Sequence, residues 1–301
     1  MKDTLLTAQP DSSGQVDFRF LAHLAKLGAT DLHPLGRAAS DALIARLDLH
    51  PGQRVLDVGC GTGETMVRVA RYDPAKLDGV DALPEMLRVA RLRLRLTGLR
   101  ARTALYRVTP GERLPFPDAT YDRAYTESVL GIQDEAGAAA LLGEVFRVLK
   151  PGGRYVANEA IWRAGVPAER IARINAACLA DFGLRLASAA HWSLADWLSV
   201  MRDAGFRVVS DELLEQEVIK ASASRRIEGV RALVSAAITR WLWLRGYLNP
   251  VRRRARARYR RLLEQHRTDG EYIEARLFVL EKPSTRAAPV QIGQNRPAHV
   301  L

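Results

Sequence analysis

Val55-Leu56-Asp57-Val58-Gly59-Cys60-Gly61-Thr62-Gly63 is an apolar run that ends in three alternating glycines and opens a helical pattern at Glu64. Glycine supplies positive φ and lets backbone approach a ligand closely, and a helix opening after such a turn presents unbonded N–H groups. The spacing is G-x-G-x-G, with Asp57 two residues before the first glycine, whereas dinucleotide folds carry G-x-G-x-x-G. A carboxylate beside the turn repels a pyrophosphate and suits an α-ammonium group. The stretch therefore favours a ligand without phosphate.

Outward from this turn, short β-type runs alternate with helical ones. Strands are expected at 55–58, 77–81, 103–108, 121–126 and 154–158, and helices at 64–72, 84–96 and 135–149, with a Pro151-Gly152-Gly153 turn before the fifth strand. Such alternation predicts parallel strands joined by right-handed crossovers, a doubly wound α/β sheet. Residues 168–182 and 193–204 read as helices, 206–218 contains a sixth strand, and the alternation over 272–280 suits a closing edge strand. Two helices over 17–49, parted by a turn at 31–36, are read as cover for a pocket mouth. The pattern over 222–247 and 251–266 is helical, broken by Asn249-Pro250. The expected plan is a tail and helical lid (1–49), a ligand-binding core (50–218), a basic helical cap (219–270), a closing strand (271–283) and a tail without periodicity (284–301).

A chain of 301 residues, 48% of them hydrophobic, can bury one large core. No run approaches the roughly 18 apolar residues that cross a bilayer, and the first residues have no signal-like apolar core, so a cytoplasmic location is expected. Cys60 and Cys178 are too few for a disulfide framework, and no Cys/His spacing suits zinc, so no metal is expected. The formal charge of +11 is concentrated: residues 219–269 hold 14 Lys/Arg against Glu228, Glu264 and Asp269, which leaves the remainder neutral. Of the 45 basic residues 39 are Arg, a skew that fits coding bias and weakens charge as an argument for nucleic acid.

Eighteen residues beyond Gly63, the second strand ends in Gly79-Val80-Asp81, where a carboxylate can accept bonds from both hydroxyls of a ribose. With Glu112-Arg113-Leu114-Pro115-Phe116-Pro117-Asp118, Val145-Phe146-Arg147-Val148-Leu149-Lys150-Pro151-Gly152-Gly153 and Ala204-Gly205-Phe206, the chain from about Leu43 to Phe206 resembles the class I S-adenosylmethionine (SAM)-dependent methyltransferases. The similarity is greatest to the bacterial small-molecule branch that includes ubiquinone/menaquinone and tocopherol methyltransferases. The resemblance implies a seven-stranded Rossmann-like sheet of order 3-2-1-4-5-7-6, with a helical cap between the last two strands. It implies SAM as cofactor, cradled by Gly59, Gly61 and Gly63, with Asp57 near its methionine end and Asp81 on its ribose. Cys60, Ala82, Met86, Gly111, Glu112 and Thr126 complete the implied cofactor set. One departure stands out: where family members often place an Asp that reaches the adenine amino group, this chain has Pro110-Gly111, which leaves a backbone N–H of Gly111 or Glu112 for that contact.

SAM carries an activated methyl, so such an enzyme must align the acceptor and, for a weakly acidic one, remove a proton. Glu127, after the fourth strand, is the expected base or amine holder; His33 in the lid turn and His191 before a late helix are further catalytic candidates. Glu127, Glu159 and Trp162 are expected to line the acceptor site. The acceptor is expected to be small and apolar or aromatic, a natural product or an isoprenoid-like lipid, since the cap is apolar and Trp-containing. Two alternatives are a nucleic-acid methyltransferase using the basic cap and a noncatalytic SAM-binding protein. The first is disfavoured: Thr126-Glu127-Ser128-Val129 lacks the Asp/Asn-Pro-Pro-aromatic motif, and the basic run offers few stacking platforms. The cap is read first as a substrate lid, with a homodimer contact also open, and Arg252 to Arg261 beside aromatic residues would suit an anionic membrane surface before they would suit nucleic acid.

Overall fold

The computed structural model describes residues 18–30, 32–187, 191–214 and 229–284. Seven strands, β1 (Arg54–Val58), β2 (Lys76–Asp81), β3 (Thr103–Arg107), β4 (Tyr121–Glu127), β5 (Leu149–Trp162), β6 (Arg207–Leu213) and β7 (Ile273–Glu281), form one sheet of order β3-β2-β1-β4-β5-β7-β6. The first five run parallel, and β7 is antiparallel to both of its neighbours.

Strand alternation sends side chains to two layers. From β1, Val55 joins Leu43 of α2 (Gly36–Arg46), Leu47 just past its end and Met66 of α3 (Glu64–Val69), whereas Leu56 and Val58 join Leu142 and Val145 of α5 (Glu135–Val148). α4 (Pro84–Leu96) adds Leu87 and Leu94 to the first layer, and α7 (Leu194–Asp203) adds Trp197 and Met201 to the second. Both faces are covered, and this is why β1 reads as a continuous apolar run around Asp57.

The closing strand is not an edge. β7 lies between β5 and β6 and places Leu277 and Val279 in one layer and Phe278 and Leu280 in the other. Its alternation separates two covered faces rather than a buried face from a wet one, and the short β6 is the edge instead. β5 also starts earlier than expected, at Leu149, and takes in Pro151-Gly152-Gly153 where the register against β4 shifts.

Around the sheet stand α1 (Arg19–Lys26), α6 (Ala168–Phe182) and two cap helices, α8 (Val230–Leu248) and α9 (Pro250–Gln265). Residues 1–17, Asp31, 222–228 and 285–301, where parts of the lid, cap and tail were expected, lie outside the described residues. α8 packs on α3 and α4 rather than over the sheet's carboxyl edge. Its anchor is Arg93, fully buried, whose guanidinium donates to Glu64 Oε2 at 2.7 Å, Ser235 Oγ at 2.6 Å and Thr239 Oγ1 at 3.0 Å. A Cβ at Gly246 would stand 2.7 Å from Leu27, so α8 approaches the end of α1 closely. Pro250 then fits the first turn of α9, and Asn249 accepts from the Arg252 N–H at 3.1 Å, so the expected helix break is also a helix cap.

Candidate functional site

The strand order reverses between β1 and β4, and in open parallel sheets the ligand crevice lies at the carboxyl ends of such strands. A cavity of about 630 Å³ occupies that place. At one end it is lined by Asp57, Gly59, Cys60, Gly61, Asp81, Ala82 and Met86; at the other by Phe20, Leu24, Ile132, Phe182, Leu186 and Ile273. One end is acidic and glycine-rich, the other apolar.

The glycine turn is built for close approach. Gly59 (φ +79°) and Gly61 (φ +50°) adopt the left-handed conformation. A Cβ at Gly59 would meet Val129 at 2.4 Å, whereas one at Gly61 would meet nothing within 4 Å and stand at the cavity wall. Gly63 does not line the cavity; it lets α3 lie against Ala90, which a Cβ would meet at 3.1 Å.

Asp81 is held by two backbone donors, Gly61 N to Oδ2 and Leu83 N to Oδ1, both at 2.8 Å. Each oxygen keeps a lone pair for another donor. Burial raises the Asp81 pKa against the pull of those two N–H groups. Asp57 is more enclosed: burial pushes its carboxyl well above the usual range, the Tyr125 hydroxyl at 2.8 Å works against this, and the charges of Glu127 and Asp81 push it further up. Three carboxyl groups at one end of the cavity, two of which raise the proton affinity of Asp57, favour a cation among them. Cys60 shares this environment, and burial, then Asp57, raise its thiol well above the ordinary range, so it is no nucleophile.

A second cavity of about 90 Å³ adjoins the first through Asp81 and Ala82 and is lined by Val108, Gly111, Glu112, Leu114 and Leu141. The Glu112 N–H donates to the Thr109 carbonyl at 3.1 Å, which leaves Gly111 N–H as the better candidate for the contact that Pro110-Gly111 displaced from a side chain.

Glu127 receives the Thr65 hydroxyl on Oε2 at 2.6 Å and the Ser40 hydroxyl on Oε1 at 2.5 Å. His33 Nε2 stands 3.3 Å from Glu127 Oε1 and 3.1 Å from Ser40 Oγ, while Asn158 Nδ2 is 3.2 Å from His33 Nδ1. If Ser40 donates to Glu127, it accepts from His33 Nε2–H, and Nδ1 accepts from Asn158; this is the neutral tautomer that fits all four contacts. The Pro34 carbonyl, 3.3 Å from Nδ1, can receive a second ring proton. Ser128, at φ +55°, lines the cavity with a buried hydroxyl that has no partner among the described residues.

Of the other expected site residues, Glu159 lines the cavity, whereas Thr126, Trp162 and His191 do not. Glu159 is fully buried and accepts from the N–H groups of Val129, Leu130 and Gly131 at 3.1, 3.1 and 3.0 Å and from the Thr126 hydroxyl at 3.3 Å. It clamps the loop after β4 and has little capacity left for a ligand. Thr126 spends its hydroxyl on Tyr155 at 2.7 Å and lines neither cavity. Trp162 packs with Ile171, Ile174 and Cys178 in a satellite core, away from the cavity surface. His191 is exposed and does not line the cavity; Ser193 and Asp196 supply the capping box of α7. Ser40 and Thr65 were not anticipated. Nothing local marks Ser40 or Thr65, since only the packing of α2 and α3 brings them to Glu127.

Burial raises Glu159 to about 7 from 4.5, despite its N–H donors. The native state therefore keeps a proton that the unfolded chain has released between those values, and this residue's contribution to stability falls as pH rises through that window. Urea unfolding of wild type and Glu159→Gln from pH 4 to 8 is expected to show wild type losing ground to the variant, by on the order of 1 kcal/mol per pH unit at the steepest. A difference that stays flat would contradict the buried carboxylate.

Among the described residues no group of three or more His, Cys, Asp or Glu could hold a metal ion, and no helix is long and apolar enough to cross a membrane. Residues 55–153 match a family described as a methyltransferase domain. A demethylmenaquinone methyltransferase of Symbiobacterium thermophilum is 36% identical over 119 residues, 39% of this chain and 46% of that protein. Among solved structures, phosphoethanolamine N-methyltransferase 2 of Haemonchus contortus, in complex with SAM, aligns with a TM-score of 0.62 at 18% identity, over 91% of this chain and 59% of that one. The cyclase SpnF aligns with a TM-score of 0.56 at 23% identity, over 82% and 80%. These likenesses concern the fold, and the chain spans about half the length of the curated relatives it matches.

Proposed function

We propose that the protein transfers a methyl group from SAM to a small lipophilic or aromatic acceptor, a reading supported by the match of residues 55–153 to a methyltransferase domain. The observation that carries this reading is one cavity with two unlike ends, a carboxylate-lined glycine turn that favours a cation and an apolar wall behind it. SAM is cationic and carries no phosphate, which suits the first end.

Asp57 and the backbone at Gly59 and Gly61 would hold the methionine part, the remaining lone pairs of Asp81 the ribose hydroxyls, and the smaller cavity with Gly111 N–H the adenine. When bound, SAM supplies a methyl group already activated on a sulfonium. The apolar wall orients the acceptor and excludes water. Glu127 accepts the acceptor's proton on a carboxylate oxygen, with Ser40 and Thr65 fixing its rotamer. His33 holds Ser40 through its Nε2–H, and a proton taken up at Nδ1 would be accepted by the Pro34 carbonyl.

A nucleic-acid substrate is less well supported. Among the described residues Arg185 is the single arginine lining the cavity, and the arginines of α9 do not line it. A titration with S-adenosylhomocysteine, the demethylated product, tests the cofactor assignment. Asp81→Ala removes two ribose hydrogen bonds and should weaken binding by about 1–3 kcal/mol. Unchanged affinity would contradict the ribose assignment, and a wild type that does not bind would remove the whole reading.

A further inference from the structure

Among the described residues none covers one apolar side of α8. Ile238, Leu242 and Gly246 face the protein, as Arg93 and Leu27 require. On the opposite side Leu233, Trp241, Leu244 and Leu248 recur at helical spacing and are 58%, 51%, 50% and 74% exposed, and Val251 continues them into α9 at 47%. Leaving so much apolar area in water on one helix is costly and marks a contact surface.

Arginines flank this stripe. Arg240, Arg245, Arg253, Arg254, Arg260 and Arg261 are exposed, and among the described residues none stands within ion-pair distance of a carboxylate. Glu264 is the single acidic side chain on the two helices, and it pairs with Arg267 at 3.0 Å. Arg245 lies over the Trp241 ring at 5.5 Å and Arg256 over Trp243 at 4.3 Å, so guanidinium groups stack on aromatic rings along the hairpin. We propose that the outer face of the α8–α9 hairpin docks the protein on an anionic lipid bilayer, its Leu/Trp stripe entering the interfacial region and its arginines meeting the headgroups.

The charge pattern selects this occupant. A second copy would bring two arginine sets face to face with almost no acid to offset them. Nucleic acid would meet the arginines but gain nothing from a row of Leu and Val. An anionic bilayer satisfies both halves, since apolar side chains partition into the acyl boundary and each basic residue is attracted by the surface potential. Leu263 is 55% exposed on α9 and also lines the large cavity, so the docked face reaches the cavity wall. The proposal does not depend on the chemistry assigned to the cavity.

Co-sedimentation of the full chain with vesicles of phosphatidylcholine, alone or mixed with phosphatidylglycerol, tests it. Wild type is expected to bind the anionic vesicles, to bind neutral ones at least about tenfold less, and to lose affinity as salt screens the headgroups. The pair Leu244→Ser/Leu248→Ser and the pair Arg253→Glu/Arg254→Glu should each reduce anionic-vesicle binding about tenfold or more, with melting curves unchanged because these side chains are exposed. Absence of wild-type binding to anionic vesicles at low salt overturns the proposal, as does binding indifferent to both pairs. A dimer in sedimentation equilibrium that Leu244→Ser/Leu248→Ser dissociates, without vesicle binding, would give the stripe to a second copy. A DNA duplex bound by wild type, again without vesicle binding, would give the arginines to nucleic acid.

Discussion

Glu127→Gln is expected to bind SAM as wild type does and to transfer methyl to a weakly acidic acceptor about 10²–10⁴-fold more slowly. The substitution keeps the shape of the side chain, and the Ser40 and Thr65 hydroxyls, now 2.5 and 2.6 Å from the carboxylate, can turn to satisfy an amide. What disappears is the proton acceptor. Single-turnover transfer from methyl-labelled SAM, measured beside cofactor affinity, separates the two effects. Equal rates would reduce Glu127 to a positioning group, and a parallel loss of SAM affinity would place it in the cofactor site.

Gly61→Leu should abolish SAM binding, with affinity lowered more than about 100-fold, while the protein still folds. A Cβ at this position meets no protein atom within 4 Å and opens onto the cavity, so the expected clash is with a ligand and not with the core. The left-handed backbone adds strain of about 1–2 kcal/mol, which should appear as a modest fall in melting temperature. Loss of stabilisation by S-adenosylhomocysteine in a thermal shift assay, with a cooperative melt retained, is the expected pair of results. A variant that still binds the ligand would mean that Gly61 does not face the cofactor.

The parts of this molecule that repeat along the chain were legible in its sequence. The glycine turn, Asp57, Asp81 and the alternating strands are local patterns, and they lead to the observed sheet and to one end of the cavity. What the sequence hid is what only packing decides. Ser40 and Thr65 lie 87 and 62 residues from Glu127 in the chain, and no local spacing links them. Trp162 and Glu159 lie on the same strand, yet one turns into a satellite core and the other clamps a loop, because strand alternation does not say what waits on each face. β7 looked like an edge since two covered layers and one wet face both give alternation. The cap was legible as two helices but not as a brace, which depends on Arg93 reaching Ser235 across the interface.

A crystal structure with S-adenosylhomocysteine would test the central claim most directly. The account predicts ribose hydroxyls on the free lone pairs of Asp81, the amino-acid end beside Asp57 and Gly61, adenine in the smaller cavity, and sulfur directed toward Glu127 and the apolar wall. A ligand bound elsewhere, or with its sulfur turned away from Glu127, would contradict it.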